Sequence, residues 1–115
     1  MTLHFYGIPN CDTVRKARAW LDANGQAYVF HDYKKEGADQ DRLRGWVQAV
    51  GWEKLLNRKG TSFRKLEPAQ KEGLDDEKAI RLMAANPSMI RRPVVESEGG
   101  LLVGFDEAQW SAQLG

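Results

Sequence analysis

The chain has 115 residues, 42% of them apolar and 29% charged, an ordinary globular composition that predicts one domain over residues 1–115. Seventeen Lys and Arg balance sixteen Asp and Glu to a net charge of +1, too weak a field to draw nucleic acid or an anionic membrane. Cys11 is the single cysteine, so an intrachain disulfide is excluded, and without paired His and carboxylate spacings no metal site is expected. No apolar run approaches the roughly 18 residues of a membrane span, and the first residues lack the charged and apolar regions of a signal peptide. The expected compartment is a reducing cytoplasm.

Leu3, Phe5 and Ile8 mark a first strand and Val29 and Phe30 a second. Between them Val14, Ala17 and Leu21 follow helical spacing. That helix is expected to open near Asn10 to Asp12 and to close at Asn24 and Gly25, so the two strands are parallel. A loop over Lys34 to Gly37 follows. Leu43, Trp46, Val47 and Val50 then recur at i, i+3, i+4 and i+7, which predicts a helix capped by Asp39 and stopped by Gly51, with Trp46 in the core. A further turn or two covers Trp52 to Leu56. Asp75 to Ala85 forms another helix with Ile80, Leu82 and Met83 inward, ended by Asn86 and Pro87. The period then changes. Val94 to Glu96, a turn over Ser97 to Gly100, and Leu101 to Val103 read as a hairpin, and Asp106 with Gln109 resembles the capping box of a closing helix. The order βαβ, helices, ββα suggests an α/β fold of thioredoxin type. It would have a four-stranded mixed sheet and a helical insertion at about 39–86 between the second and third strands. A ferredoxin-like domain accommodates that insertion poorly.

Cys11 falls where the first strand gives way to the first helix, so its sulfur can face the unpaired N–H groups of the first turn. Only the thiolate is a nucleophile, and a free cysteine with a pKa of about 8.5 is mostly protonated at neutral pH. Lowering that value to about 6 requires about 3.4 kcal/mol, of which a helix end supplies typically 0.3 to 1 and at most ~2. Asp12 opposes the shift, and Arg15 helps if it folds back. A reactive thiol therefore demands a further arginine from elsewhere in the chain. The competing reading makes Cys11 a small buried residue.

The stretch Leu3 to Tyr6 followed by Pro9, Asn10, Cys11, Asp12 and Thr13 resembles the arsenate reductase (ArsC) and Spx-like branch of the thioredoxin fold. Leu55 to Leu66, Ile90 to Val95 and Gly104 to Glu107 resemble its later blocks, so the likeness covers nearly the whole chain and is nearest in wording to the YffB-type glutathione-dependent thiol reductases. The resemblance implies that Arg92 lies beside Cys11 and that Pro93 has a cis peptide bond. Arg92 would then be the second catalytic residue, holding thiolate and substrate together. Asn10, Asp12, Thr13, Arg15, Arg58 and Pro93 are the expected substrate-binding residues, and Arg91 is expected at the surface.

Two departures from the family pattern bear on activity. Of the three arginines that hold arsenate in this branch, only Arg92 aligns cleanly; Asn57 stands at another position, next to Arg58, and apolar Phe105 at the third. Val14 stands three residues after Cys11, so the Cys-x-x-Cys switch of many Spx-type regulators is absent.

Charge is also segregated. Residues 57–65 carry Arg58, Lys59, Arg64 and Lys65 without an acid, and residues 96–115 carry Glu96, Glu98, Asp106 and Glu107 without a base. A basic stretch suits glutathione or an acidic partner, and equally suits a merely solvated loop. The expected function is a glutathione-dependent monothiol reductase: Cys11 attacks a disulfide or oxidised substrate, and glutathione or a glutaredoxin-like external thiol resolves the mixed disulfide. No bound cofactor is expected, and the protein is expected to be a monomer. The alternatives are an Spx-like regulator that binds the RNA polymerase α-subunit, and an arsenate reductase using glutathione and glutaredoxin.

Overall fold

The computed structural model describes residues 2–114. β1 (Leu3–Gly7) leads through a short loop into α1 (Asp12–Ala23), then β2 (Tyr28–Asp32) and a single helical turn, α2 (Tyr33–Glu36). The helices α3 (Gln40–Val50), α4 (Trp52–Leu55), α5 (Thr61–Arg64), α6 (Pro68–Lys71) and α7 (Asp76–Ala85) follow, with a 3-10 turn at Pro87–Met89. The chain closes with β3 (Val94–Ser97), β4 (Gly100–Val103) and α8 (Glu107–Leu114). The four strands form one mixed sheet in the order β2-β1-β3-β4, in which β1 runs parallel to β2 and antiparallel to β3. This is the thioredoxin-like α/β architecture that the element order suggested.

The chain divides into two compact units, one made of the segment up to Glu36 together with that from Arg92 onward, the other of Gly37–Arg91. In the first, side chains alternate across the sheet, so Leu3 and Phe5 of β1, Val95 of β3 and Leu102 of β4 share a face. Val14, Ala17 and Leu21 of α1 and Trp110 of α8 cover that face. Trp110 is fully buried, its indole N–H donates to the Gly104 carbonyl at 3.1 Å, and the rings of Phe5, Trp20 and Phe105 meet it edge-on. An aromatic of this size is tolerated in a core because its one polar atom has a partner. Val29, which marks the second strand in the sequence, is 43% exposed, since it shares the other face of the sheet with His4.

In the second unit Asp39 caps α3 by accepting from the Arg42 N–H at 2.9 Å, and Gly51 ends the helix at a φ of 89°. Leu43, Trp46 and Val47 pack this helix against α7, from which Ala79, Ile80 and Met83 are buried. Leu82, expected inward, is only partly buried, and Ala79 takes that place. Arg44 of α3 pairs with Glu77 of α7 at 3.0 Å. α5 and α6 have no counterpart in the sequence-derived elements, because a single turn is too short to show a helical period. α6 is nonetheless signalled locally: Pro68 opens it, and the Gln70 side chain accepts from the Glu67 N–H at 3.1 Å.

The hairpin between β3 and β4 has the two-residue turn Glu98-Gly99, with Ser97 paired to Gly100. At the entry to α8 the Asp106 carboxylate accepts from the Gln109 N–H at 3.2 Å.

Replacing Trp110 by Ala removes the largest side chain of the first unit's core and is expected to cost about 3–5 kcal/mol of unfolding free energy. Urea unfolding followed by circular dichroism measures it, with a fall in midpoint as the expected outcome.

Candidate active site

At the end of β1 a Cβ on Gly7 would stand 3.0 Å from the Val14 side chain, so the absence of one lets the strand end close against α1. The chain then turns through residues 8–10 and reaches Cys11 in an extended conformation, φ −121° and ψ 128°, as the N-cap of α1. Its carbonyl accepts from the Arg15 N–H at 2.9 Å, which starts the helix. The thiol is partly buried and packs against the core of the first unit.

Withdrawal from water raises the pKa of Cys11 and is the largest single influence on it. Four contributions oppose it and together outweigh it: the Val14 N–H, a hydrogen bond from the Arg92 guanidinium, the charge of Arg92, and the Thr13 N–H. The thiol is thereby held below the ordinary cysteine value. The two amides sit at the second and third positions of the helix and offer the sulfur the donors that a helix start leaves unpaired, although no formed cap bond closes onto it.

Arg92 reaches the thiol because β3 lies beside β1 in antiparallel register, with Val94 opposite Tyr6. Continuing that register by two residues sets Arg92 against the loop that follows β1. The Arg92–Pro93 peptide bond is cis. Pro93 is buried, and its carbonyl accepts from the Gly104 N–H at 2.8 Å, so its backbone is engaged within the fold.

The remaining candidates separate. Arg15 is exposed and pairs with Asp12, so the cation expected to assist the thiol and the anion expected to oppose it neutralise one another. Neither contributes to the shift at Cys11. Asn10 is exposed and accepts from the Lys34 ammonium at 3.2 Å. Arg58 belongs to the second unit, where its guanidinium lies 5.4 Å from the centre of the Trp52 ring. Arg91 is exposed and donates to the Lys54 carbonyl. Phe105 is partly buried, with its ring against Trp110 and Trp20.

The sequence reads residues 34–37 as a loop, whereas Lys34 lies in the helical turn α2 beside the thiol loop. The signal available was Asp32, whose carboxylate accepts from the Lys34 N–H at 2.8 Å and starts α2, while Tyr33 anchors that turn by burial. Also unforeseen is the contact of His4 Nδ1 with His31 Nε2 at 2.9 Å, with Glu36 at 3.1 Å from His31 Nδ1.

A helix that starts on a thiol just after the first strand, met by a side chain from the residue before a cis-proline, defines a thioredoxin-like thiol protein. The ArsC family model matches residues 6–113, and the chain belongs to that family. A solved structure described as YffB superimposes with a TM-score of 0.96 at 54% identity, covering 99% of this chain and 100% of the other. A solution structure described as an arsenate reductase (ArsC) related protein from Brucella melitensis gives 0.78 at 51% identity over 99% and 95%. The global transcriptional regulator Spx of Streptococcus mutans is 30% identical over 108 residues, 92% of this chain and 78% of the regulator.

The depressed thiol has a pH signature. Because the folded group ionises at lower pH than an unfolded cysteine, its ionisation favours the native state. The contribution is absent below the folded pKa, grows as pH rises through it, and is complete above about 8.5. The stability of the wild type relative to Cys11→Ser should therefore increase as pH rises through the folded value and level off above about 8.5. Iodoacetamide alkylation of Cys11 should show a midpoint below about 8.5 that rises in Arg92→Ala and stays in place in Arg91→Ala.

Proposed function

We propose that the protein is a glutathione-dependent monothiol reductase, and the observation that carries this reading is the hydrogen bond from Arg92 to a Cys11 thiol already held below its ordinary pKa. The thiolate attacks one sulfur of a disulfide substrate. A bond forms between Cys11 and that sulfur, the substrate's S–S bond breaks, and the other half leaves as a thiolate. An external thiolate then attacks the substrate sulfur of the mixed disulfide and releases Cys11 as a thiolate, and a second external thiolate displaces the remaining substrate half from the resulting disulfide, so two electrons have passed from two external thiols to the substrate. The second thiol must be external because Cys11 is the chain's single cysteine. Glutathione or a glutaredoxin-like protein is the fitting donor. Arg92 favours both the attacking thiolate and its release, because it stabilises charge on sulfur at the start and end of the cycle.

Arsenate fits less well. An oxyanion needs several donors, and Phe105, at a position where this branch carries an arginine, offers an apolar ring packed on tryptophans. Regulation in the manner of the Spx relatives, through binding of the RNA polymerase α-subunit, is the second reading, favoured by 30% identity to such a regulator across most of the chain. Its redox switch would have to differ, because Val14 is a buried core residue at the position of a second cysteine.

Incubating the reduced protein with glutathione disulfide and weighing it intact should give one glutathione adduct, absent in Cys11→Ser and reversed by excess glutathione. Absence of the adduct in the wild type overturns the reductase reading. Arsenate turnover coupled to glutathione and glutaredoxin should be weak or nil. Capture of RNA polymerase from extract by wild type and Cys11→Ser alike would favour the regulator.

A further inference from the structure

The cations of the first unit that lie around the thiol loop differ in what occupies them. Arg92 is committed to the sulfur, and Arg15 is neutralised by Asp12. Arg18 donates to the Tyr28 hydroxyl at 3.0 Å and lies 4.1 Å from the centre of the Phe30 ring. Lys34 is different. Its ammonium is exposed and contacts the loop only through the neutral Asn10 carbonyl oxygen, at 3.2 Å, one residue before the nucleophile. No carboxylate lies within 4.0 Å of it among the described residues.

The position of Lys34 is also built rather than incidental. Asp32 holds the Lys34 N–H at 2.8 Å, and Tyr33, 5% exposed, anchors the turn next to it. The lysine thus stands at a fixed point in α2, directly after the strand adjacent to β1, although it is distant from Cys11 in sequence.

We propose that Lys34 is a specificity-determining residue that receives a carboxylate of the thiol or disulfide substrate while Cys11 engages its sulfur. The inference rests on the reductase reading above and names a substrate class, small thiols and disulfides that carry carboxylates. Glutathione, with two carboxylates and one amine, is a member. With Arg92 holding the sulfur's charge, the carboxylate needs a second cation, and an ammonium whose present partner is a neutral amide can take it at little cost. A lysine suits this task because it acts as a point charge on a flexible stem and can follow the substrate. Exposure limits the attraction to the range of surface pairs, so the effect is moderate and screened by salt.

The test compares second-order rates of mixed disulfide formation at Cys11 with two disulfides, glutathione disulfide and the neutral bis(2-hydroxyethyl) disulfide, read by intact mass in quenched samples. The readout is the ratio of the two rates, which a general change in thiol reactivity or folding leaves alone. In Lys34→Ala the ratio should fall about 3- to 10-fold at low salt, in Lys34→Glu further, and the loss should shrink in 0.5 M salt. Lys34→Arg should restore most of the ratio, and Lys35→Ala, a change at the neighbouring exposed lysine, should keep it. An unchanged ratio in both Lys34→Ala and Lys34→Glu overturns the inference while leaving the reductase reading intact. A fall in both rates by the same factor also overturns it, since Lys34 would then act on the thiol. If the wild type forms an adduct with neither disulfide, the reductase reading fails and this inference with it.

Discussion

A sulfur drawn partly out of water resists ionisation unless fixed positive charge meets it, and that conflict at Cys11 governs the arrangement of the first unit. Burial is the largest influence on the thiol and acts against reactivity. It is reversed by two backbone amides of α1 and by one guanidinium, none of which pays a reorganisation cost when charge appears on the sulfur. The amides are fixed by the helix, and the guanidinium is fixed by the pairing of β3 with β1.

The rest of the unit can be understood as what keeps these parts in place. Val14, whose N–H faces the sulfur, is also a buried core residue, so the first turn of α1 cannot shift without disturbing the packing against Phe5 and Trp110. Gly7 permits the close approach of β1 and Val14 that such packing requires. On the far side, β4 and α8 hold β3 through Val95, Leu102 and Trp110, and the Gly104 N–H fastens the carbonyl of Pro93 next to Arg92. Stability and chemistry here share residues, so the core cannot be loosened without moving the donors.

Charge near the loop follows the same economy of position. Arg15, close in sequence, is cancelled by Asp12, whereas Arg92 and Lys34, both distant in sequence, are carried there next to the two strands that flank β1, Arg92 just before β3 and Lys34 just after β2. Among the side chains, nearness in sequence does not decide which charge acts on the nucleophile, since Arg92 is among the influences on Cys11 and Arg15 is not. Neighbours on one helix turn readily satisfy each other, and a strand pairing delivers a side chain that has no such local partner.

The amino-acid sequence by itself determined the element order, the parallel start and the hairpin end. Apolar spacing at Val14, Ala17 and Leu21, the cap Asp39, the stop Gly51 and the turn before Gly100 are local signals that act within a few residues. The same local logic placed Cys11 at a helix start and required an arginine from elsewhere, which the family likeness pointed to as Arg92. It did not reveal the single turns α5 and α6, too short to show a period, nor that Val29 faces outward. Only the tertiary structure decided which cations surround the thiol loop. The register of β1 against β2 and β3 brings Lys34 and Arg92 to it, and register depends on the packing of a whole sheet face rather than on any residue's own propensity.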